Sequence, residues 1–224
     1  MEFILLFRIN EKMKEKYPHI SKQYFAGSSA GAWIALFIIY DVDINKLYKF
    51  ILHYKNKHLI HNLRKDIYYN FLHNKIKNNP YKLKRIYINV TKITKYGIQP
   101  HIRLTTIHNI HKRLIDTIYI PFFGGNKLIH DYYDGCFSDR FPTHPHKKYL
   151  PEYQKLYISV HKELRLLQII IYFLLYILSF GYIKIHIIQP DFCMNNHFAS
   201  IYSFKIRSKE ETQKLFNEGY NILN

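Results

Sequence analysis

The segment from Lys22 to Tyr40, KQYFAGSSAGAWIALFIIY, constrains the fold more than any other part of this 224-residue chain. Its first five residues, Lys22–Ala26, read as a short strand. Its last part, Ala30–Tyr40, is apolar nearly all round, which predicts a helix buried on every side. Only Gly27, Ser28 and Ser29 are left to turn the chain between the two. Strand, tight turn and buried helix in direct succession are the opening of an α/β unit.

The turn has an internal frame. Gly27 and Gly31 stand two residues either side of Ser29, a Gly-x-Ser-x-Gly pattern that chance produces about 0.01 times in a chain of this length and composition. A serine on such a strand-to-helix turn sits at a strained elbow with its hydroxyl clear of the sheet, ready to act as a nucleophile. Glycine at positions 27 and 31 is expected where a side chain would collide between strand and helix. The helix start adds an electrostatic benefit. The backbone N–H of Ala30, at the positive end of the helix dipole, can point at a developing oxyanion. The alternative is a tight structural turn without chemistry.

Downstream, strands and helices continue to alternate. Helices are expected over Glu2–Lys16, Ile44–His58 and Ile107–Ile118. Strands are expected over Arg85–Val90 (RIYINV), His101–Thr106 and Lys155–Val160, where apolar and polar residues alternate, and a turn over Phe123–Asn126. The fold class is therefore α/β, one domain over 1–224, with a largely parallel central sheet. An apolar helix is expected at about 164–180. Its least interrupted part, Leu166–Phe180, would extend roughly 22 Å against a hydrocarbon thickness of ~30 Å. A buried core helix, a helix dipping into a membrane and a spanning helix all stay open for it. Beyond Gly181 the residues Tyr182–Ile187 alternate strictly and predict a strand.

A serine hydroxyl needs a base. By chain order a triad of Ser29, Asp191 and His197 is conceivable, and so is an aspartate acting alone. Short-spaced histidine pairs, His58 with His61, His108 with His111 and His144 with His146, lack a third ligand, so no metal site and no cofactor is expected. The two cysteines, Cys136 and Cys193, form no metal-ligand spacing and point to a reducing compartment. No export signal is visible in the apolar run Phe3–Phe7, which is short and has no basic segment before it.

Two blocks carry a resemblance. The first is Gly27-Ser28-Ser29-Ala30-Gly31. The second is Asp131-Tyr132-Tyr133-Asp134-Gly135-Cys136-Phe137-Ser138-Asp139, preceded by Asp116-Thr117-Ile118-Tyr119-Ile120-Pro121-Phe122-Phe123. Together they resemble the patatin-like phospholipases, nearest the adipose triglyceride lipase branch, and the closing Gln213–Tyr220 is similar to that family's final Gly-Tyr helix. The resemblance implies a three-layer patatin-like fold with a mainly parallel sheet. It implies a serine–aspartate dyad, Ser29 as nucleophile and Asp134 as base, with Gly135 completing the Asp-Gly element and Cys136 standing where glycine or alanine is usual. It also implies hydrolysis of phospholipid or acylglycerol esters through an acyl-enzyme. The family begins with a strand and a Gly-rich oxyanion loop. Here 26 residues precede Gly27 and none is glycine, so the expectation is an N-terminally truncated fold with the Ala30 N–H as the remaining oxyanion donor. A catalytically impaired, lipid-surface-binding relative is the second reading.

Charge bears on the partner. The net charge is +17. Lys55, Lys57, Arg64, Lys65, Lys75, Lys77, Lys82, Lys84 and Arg85 face only Asp66 in a helical segment at about 53–85. That segment would dock on an anionic lipid surface, where each basic side chain contributes ~1 kcal/mol. Interleaved tyrosines also fit nucleic acid, but a membrane or lipid-droplet surface is the expected partner and a peripheral cytoplasmic location follows. A solvated pair of helices in a Lys- and Tyr-rich chain is the plainer alternative.

Overall fold

Residues 15–54, 60–94, 97–119, 131–139, 142, 158–159, 192–193 and 210 are described by the structure, a computed structural model. The expected helix at Glu2–Lys16 (but for its last two residues), the turn at 123–126, the apolar helix at 164–180, the strand at 182–187, and the residues Asp191, His197 and Gln213–Tyr220 lie outside them.

The chain enters the core through β1 (Phe25–Gly27), displaced from the expected 22–26 toward the glycine. Lys22 and Gln23 instead close a short 3-10 turn, with the Gln23 N–H donating to Ile20 O at 3.0 Å. Helix α1 (Ala30–Ile39) follows directly, and all of its residues but Gly31 are buried. Trp33, Leu36, Phe37, Ile38 and Ile39 are each within 2 % of full burial and form the centre of the core. Burial of each large apolar side chain stabilises by roughly 1.5–3 kcal/mol. The helix ends in a paired C-cap. Asp41 takes the left-handed conformation (φ 48°), its N–H donates to Ile38 O at 3.2 Å, and the Val42 N–H donates to Phe37 O at 2.9 Å. Two orphan carbonyls are thereby satisfied without a glycine.

Helix α2 (Ile44–Leu52) starts at an Asp43 cap, whose carboxylate accepts the Lys46 N–H at 3.0 Å. It stops short of the expected His58, in a turn where the His53 N–H reaches Lys49 O. The described part of the basic segment is helical but irregular. It runs as α3 (Ile60–Ile67), a π-helical stretch Tyr68–His73, α4 (Asn74–Asn78) and a 3-10 stretch Pro80–Arg85. Ile67, Tyr68, Leu72 and Ile76 are buried apolar residues of this segment and anchor it on the core.

Strand β2 (Ile86–Thr94) extends four residues past the expected Val90, paired along its length with β3 (Gly97–Leu104). Helix α5 (Ile110–Asp116) starts three residues later than expected, because the Asn109 carboxamide first closes a turn on the Thr106 N–H at 2.8 Å. Strand β4 (Tyr133–Asp134) and a 3-10 turn at Gly135–Phe137 follow, then β5 (Ile158–Ser159) and β6 (Phe192–Cys193), which pair in parallel.

The architecture is mixed α/β with an open sheet, and the expectation of a mainly parallel sheet needs correcting. Among the described residues β1 and β2 are parallel, whereas β2 pairs antiparallel with both β3 and β4. The β2–β3 pair has no choice, since two residues connect them and a parallel crossover needs a dozen or more. The topology of β2 matters most for the site. β3 occupies one edge from Tyr87 to Thr94. The other edge is shared end to end, β1 beside Ile86–Ile88 and β4 beside Val90 and Thr91. Asn89 faces the junction, where one strand leaves at Gly27 and the other at Asp134.

Candidate active site

Sharing one edge of β2 brings two distant segments together. Ser29 follows β1 by two residues and Asp134 is in β4. The Ser29 hydroxyl donates to Asp134 Oδ2 at 2.6 Å, across 105 residues of chain. Ser29 is half-buried and Asp134 is 4 % exposed. The other carboxylate oxygen, Oδ1, accepts the Cys136 N–H at 2.9 Å. The Asp134 N–H donates to Tyr119 O at 2.8 Å, and its carbonyl accepts the Thr91 hydroxyl at 2.7 Å. The carboxylate is thus aimed by bonds on both sides of its backbone.

The turn itself is strained. Ser29 has φ 53° and ψ −131°, a conformation rare for any residue but glycine. Such a residue costs of order 1–3 kcal/mol and persists only where its surroundings over-determine it. Gly27 allows the close return of the helix onto the strand, since a Cβ there would lie 2.6 Å from Ala32 N and 2.7 Å from Gly31 C. Gly31 does not share that role. A Cβ at position 31 would meet no described atom within 4 Å, so the expectation that both glycines prevent a collision is corrected for the second. Gly31 itself is exposed. Gly135 is the most constrained of the three, its Cβ position lying 2.2 Å from Asn89 O.

Two buried polar residues hold these pieces, and neither stands out as a site residue in the sequence. Asn89 is fully buried in the middle of β2. Its amide nitrogen donates to Gly135 O at 2.7 Å, to Asp139 O at 3.1 Å and to the Ser28 hydroxyl at 3.2 Å. Ser28 in turn donates to Asp139 O at 2.7 Å. Thr117, also fully buried, donates its hydroxyl to Asn89 O at 2.6 Å and accepts the Ser29 N–H at 2.9 Å. A signal existed for Asn89, the polar residue inside the apolar strand run RIYINV. For Thr117 the signal was its place three residues ahead of Ile120-Pro121-Phe122, in the block that carries the resemblance.

The Ala30 N–H begins α1 and makes no hydrogen bond among the described residues, while the next two, of Gly31 and Ala32, are taken by Ser28 O and Ser29 O. It is the backbone donor closest in sequence to Ser29 that has no partner among the described residues. A cation adds to the field. Arg64, half-buried on α3, lies within electrostatic reach of Asp134. Burial pushes its guanidinium down to about 10, and the Asp134 carboxylate pulls in the opposite direction.

The lysines of the basic segment divide. Lys75 Nζ donates to Asp41 O at 3.1 Å and Lys82 Nζ to Ile39 O at 3.3 Å, both at the C-terminal end of α1, opposite Ser29. Lys65, Lys77 and Lys84 are exposed. Tyr54 donates to the segment's one acidic residue, Asp66, at 2.6 Å. His111 packs its ring against Tyr68 at 4.5 Å, and no group of metal-ligating side chains occurs among the described residues. No described helix is long and apolar enough to cross a membrane.

Local geometry thus defines a hydroxyl–carboxylate pair on a strained strand-to-helix turn. Compared with protein-family models, curated proteins and solved structures, the chain matches none of them.

Proposed function

We propose that this protein is a serine acyl hydrolase that cleaves esters of phospholipids or acylglycerols through a Ser29–Asp134 dyad. The observation that carries the reading is the 2.6 Å hydrogen bond from the Ser29 hydroxyl to a buried carboxylate, made from a backbone conformation that costs free energy to hold. In the reaction Ser29 Oγ attacks the ester carbonyl carbon while Asp134 Oδ2 accepts its proton. The proton passes to the departing alcohol and leaves an acyl group on Ser29. Water then attacks the acyl carbon, giving its proton to Asp134, and the carboxylic acid departs as the proton returns to Ser29. The Ala30 N–H stabilises the tetrahedral oxyanion, and one such donor contributes ~10²–10³ in rate. The patatin-like fold suggested by the sequence motifs belongs to the same proposal. So does a peripheral cytoplasmic location at a membrane or lipid-droplet surface, supported by the exposed Lys65, Lys77 and Lys84.

The test is ester turnover and covalent labelling by an alkyl fluorophosphonate, compared between the native chain, Ser29→Ala and Asp134→Asn. Label on Ser29 alone, with turnover lost in both variants, is the expected result. Equal turnover by the native chain and Ser29→Ala ends the enzymatic reading.

A further inference from the structure

We propose that Thr117 is a positioning residue for the nucleophile, its hydroxyl bridging the Ser29 amide to the Asn89 carbonyl and so holding Ser29 in the conformation from which its Oγ meets Asp134. The inference rests on the acyl-hydrolase reading for its kinetic consequences, but the bridge itself is a matter of geometry. A threonine hydroxyl has one proton to give and two lone pairs. The proton goes to Asn89 O at 2.6 Å, so toward the Ser29 N–H, 2.9 Å away, the oxygen acts as acceptor. Both contacts are therefore satisfied at once and in one sense only.

The burial of Thr117 makes the bridge matter. The side chain is 0 % exposed, so water does not replace it readily. Ser29 relieves its positive φ only by rotating the peptide plane between Ser28 and Ser29. That rotation breaks the bond to Thr117 and leaves a partly buried donor without its partner, a cost that offsets part of the strain it would release. The backbone of Thr117 holds the other half of the dyad, since its carbonyl accepts the Gly135 N–H at 3.2 Å. One residue thus fixes the serine through its side chain and the aspartate's neighbour through its main chain. The bridge has a second consequence. The Ser29 N–H is occupied and cannot serve the oxyanion, which leaves that task to Ala30.

A hydroxyl that must both give and accept is replaceable by serine and not by valine, although valine has the same shape. Thr117→Val and Thr117→Ser are compared with the native chain by the second-order rate of alkyl fluorophosphonate labelling, by kcat and KM on a short-chain ester, and by amide hydrogen exchange at Ser29. Thr117→Val is expected to lose about 10–100-fold in labelling and kcat with KM nearly unchanged, as misplacing a reacting group by about 1 Å does. Its Ser29 amide is expected to exchange at least about tenfold faster, and Thr117→Ser to stay within about threefold of the native chain on each measure. Native labelling in Thr117→Val overturns the proposal, and so does a loss in Thr117→Ser as large as in Thr117→Val. An unprotected Ser29 amide in the native chain overturns it even if Thr117→Val does not fold. A native chain that takes no label counts against the hydrolase reading instead, and amide exchange then still decides the bridge.

Discussion

Alanine at Gly135 and alanine at Gly31 should have opposite effects, although both glycines belong to the motif blocks. At Gly135 the added Cβ would stand 2.2 Å from Asn89 O, 2.7 Å from Asn89 C and 3.0 Å from the Ser28 hydroxyl. The first two are backbone atoms of the central strand, held on both edges. Reaching a tolerable separation of about 3.2 Å requires the 134–135 segment to retreat by about 1 Å. Asp134 Oδ2, now 2.6 Å from Ser29 Oγ, is then carried to the limit of a hydrogen bond or past it. The strain costs ~1–3 kcal/mol, which lowers Tm by about 2–4 °C per kcal/mol in a chain of this size. Fluorophosphonate labelling of Ser29 falls by about 100-fold. At Gly31 no described atom lies within 4 Å of the added methyl, and alanine in a helix is favoured over glycine by roughly 0.5–1 kcal/mol. Gly31→Ala therefore melts at the native temperature or slightly above it. Thermal unfolding with labelling kinetics on the same samples checks both. A Gly135→Ala chain with native Tm and native labelling would refute the steric reasoning, as would a Gly31→Ala chain less stable than Gly135→Ala.

Arg64→Met removes a cation that acts electrostatically on the dyad carboxylate. Because Asp134 favours the charged form of Arg64, the charged Arg64 equally favours ionised Asp134. Without it the carboxylate is harder to ionise, so the acidic limb of the pH–labelling profile moves to higher pH; an unmoved limb would show that the charge does not reach the site. Asp43→Ala removes the cap on the Lys46 N–H at the start of α2, and chemical denaturation should register a loss of ~1 kcal/mol with Ser29 labelling unchanged.

The amino-acid sequence alone determined the local half of this protein. The Gly27–Gly31 frame, the all-apolar Ala30–Tyr40 run and the alternation in RIYINV specify strand, elbow, buried helix and strand, because these depend on residues within a few positions of one another. Boundaries moved by a few residues wherever a partner decided them. β2 runs on to Thr94 because β3 returns alongside it, and β1 begins at Phe25 because its pairing on β2 begins at Ile86. Sheet sense was not legible, since strand alternation is the same for parallel and antiparallel neighbours; the two-residue connection after Thr94 makes β3 antiparallel, and the sense of β4 depends on pairing with a segment distant in sequence. The motif pattern also treated Gly27 and Gly31 alike, whereas only three-dimensional crowding separates a glycine that is sterically required from one that is not. The tertiary structure alone decided the meeting of Ser29 with Asp134 and the bridging parts of Asn89 and Thr117. Those contacts span from 28 to 105 residues and exist because β1 and β4 divide one edge of β2 between them, a juxtaposition that no local pattern encodes.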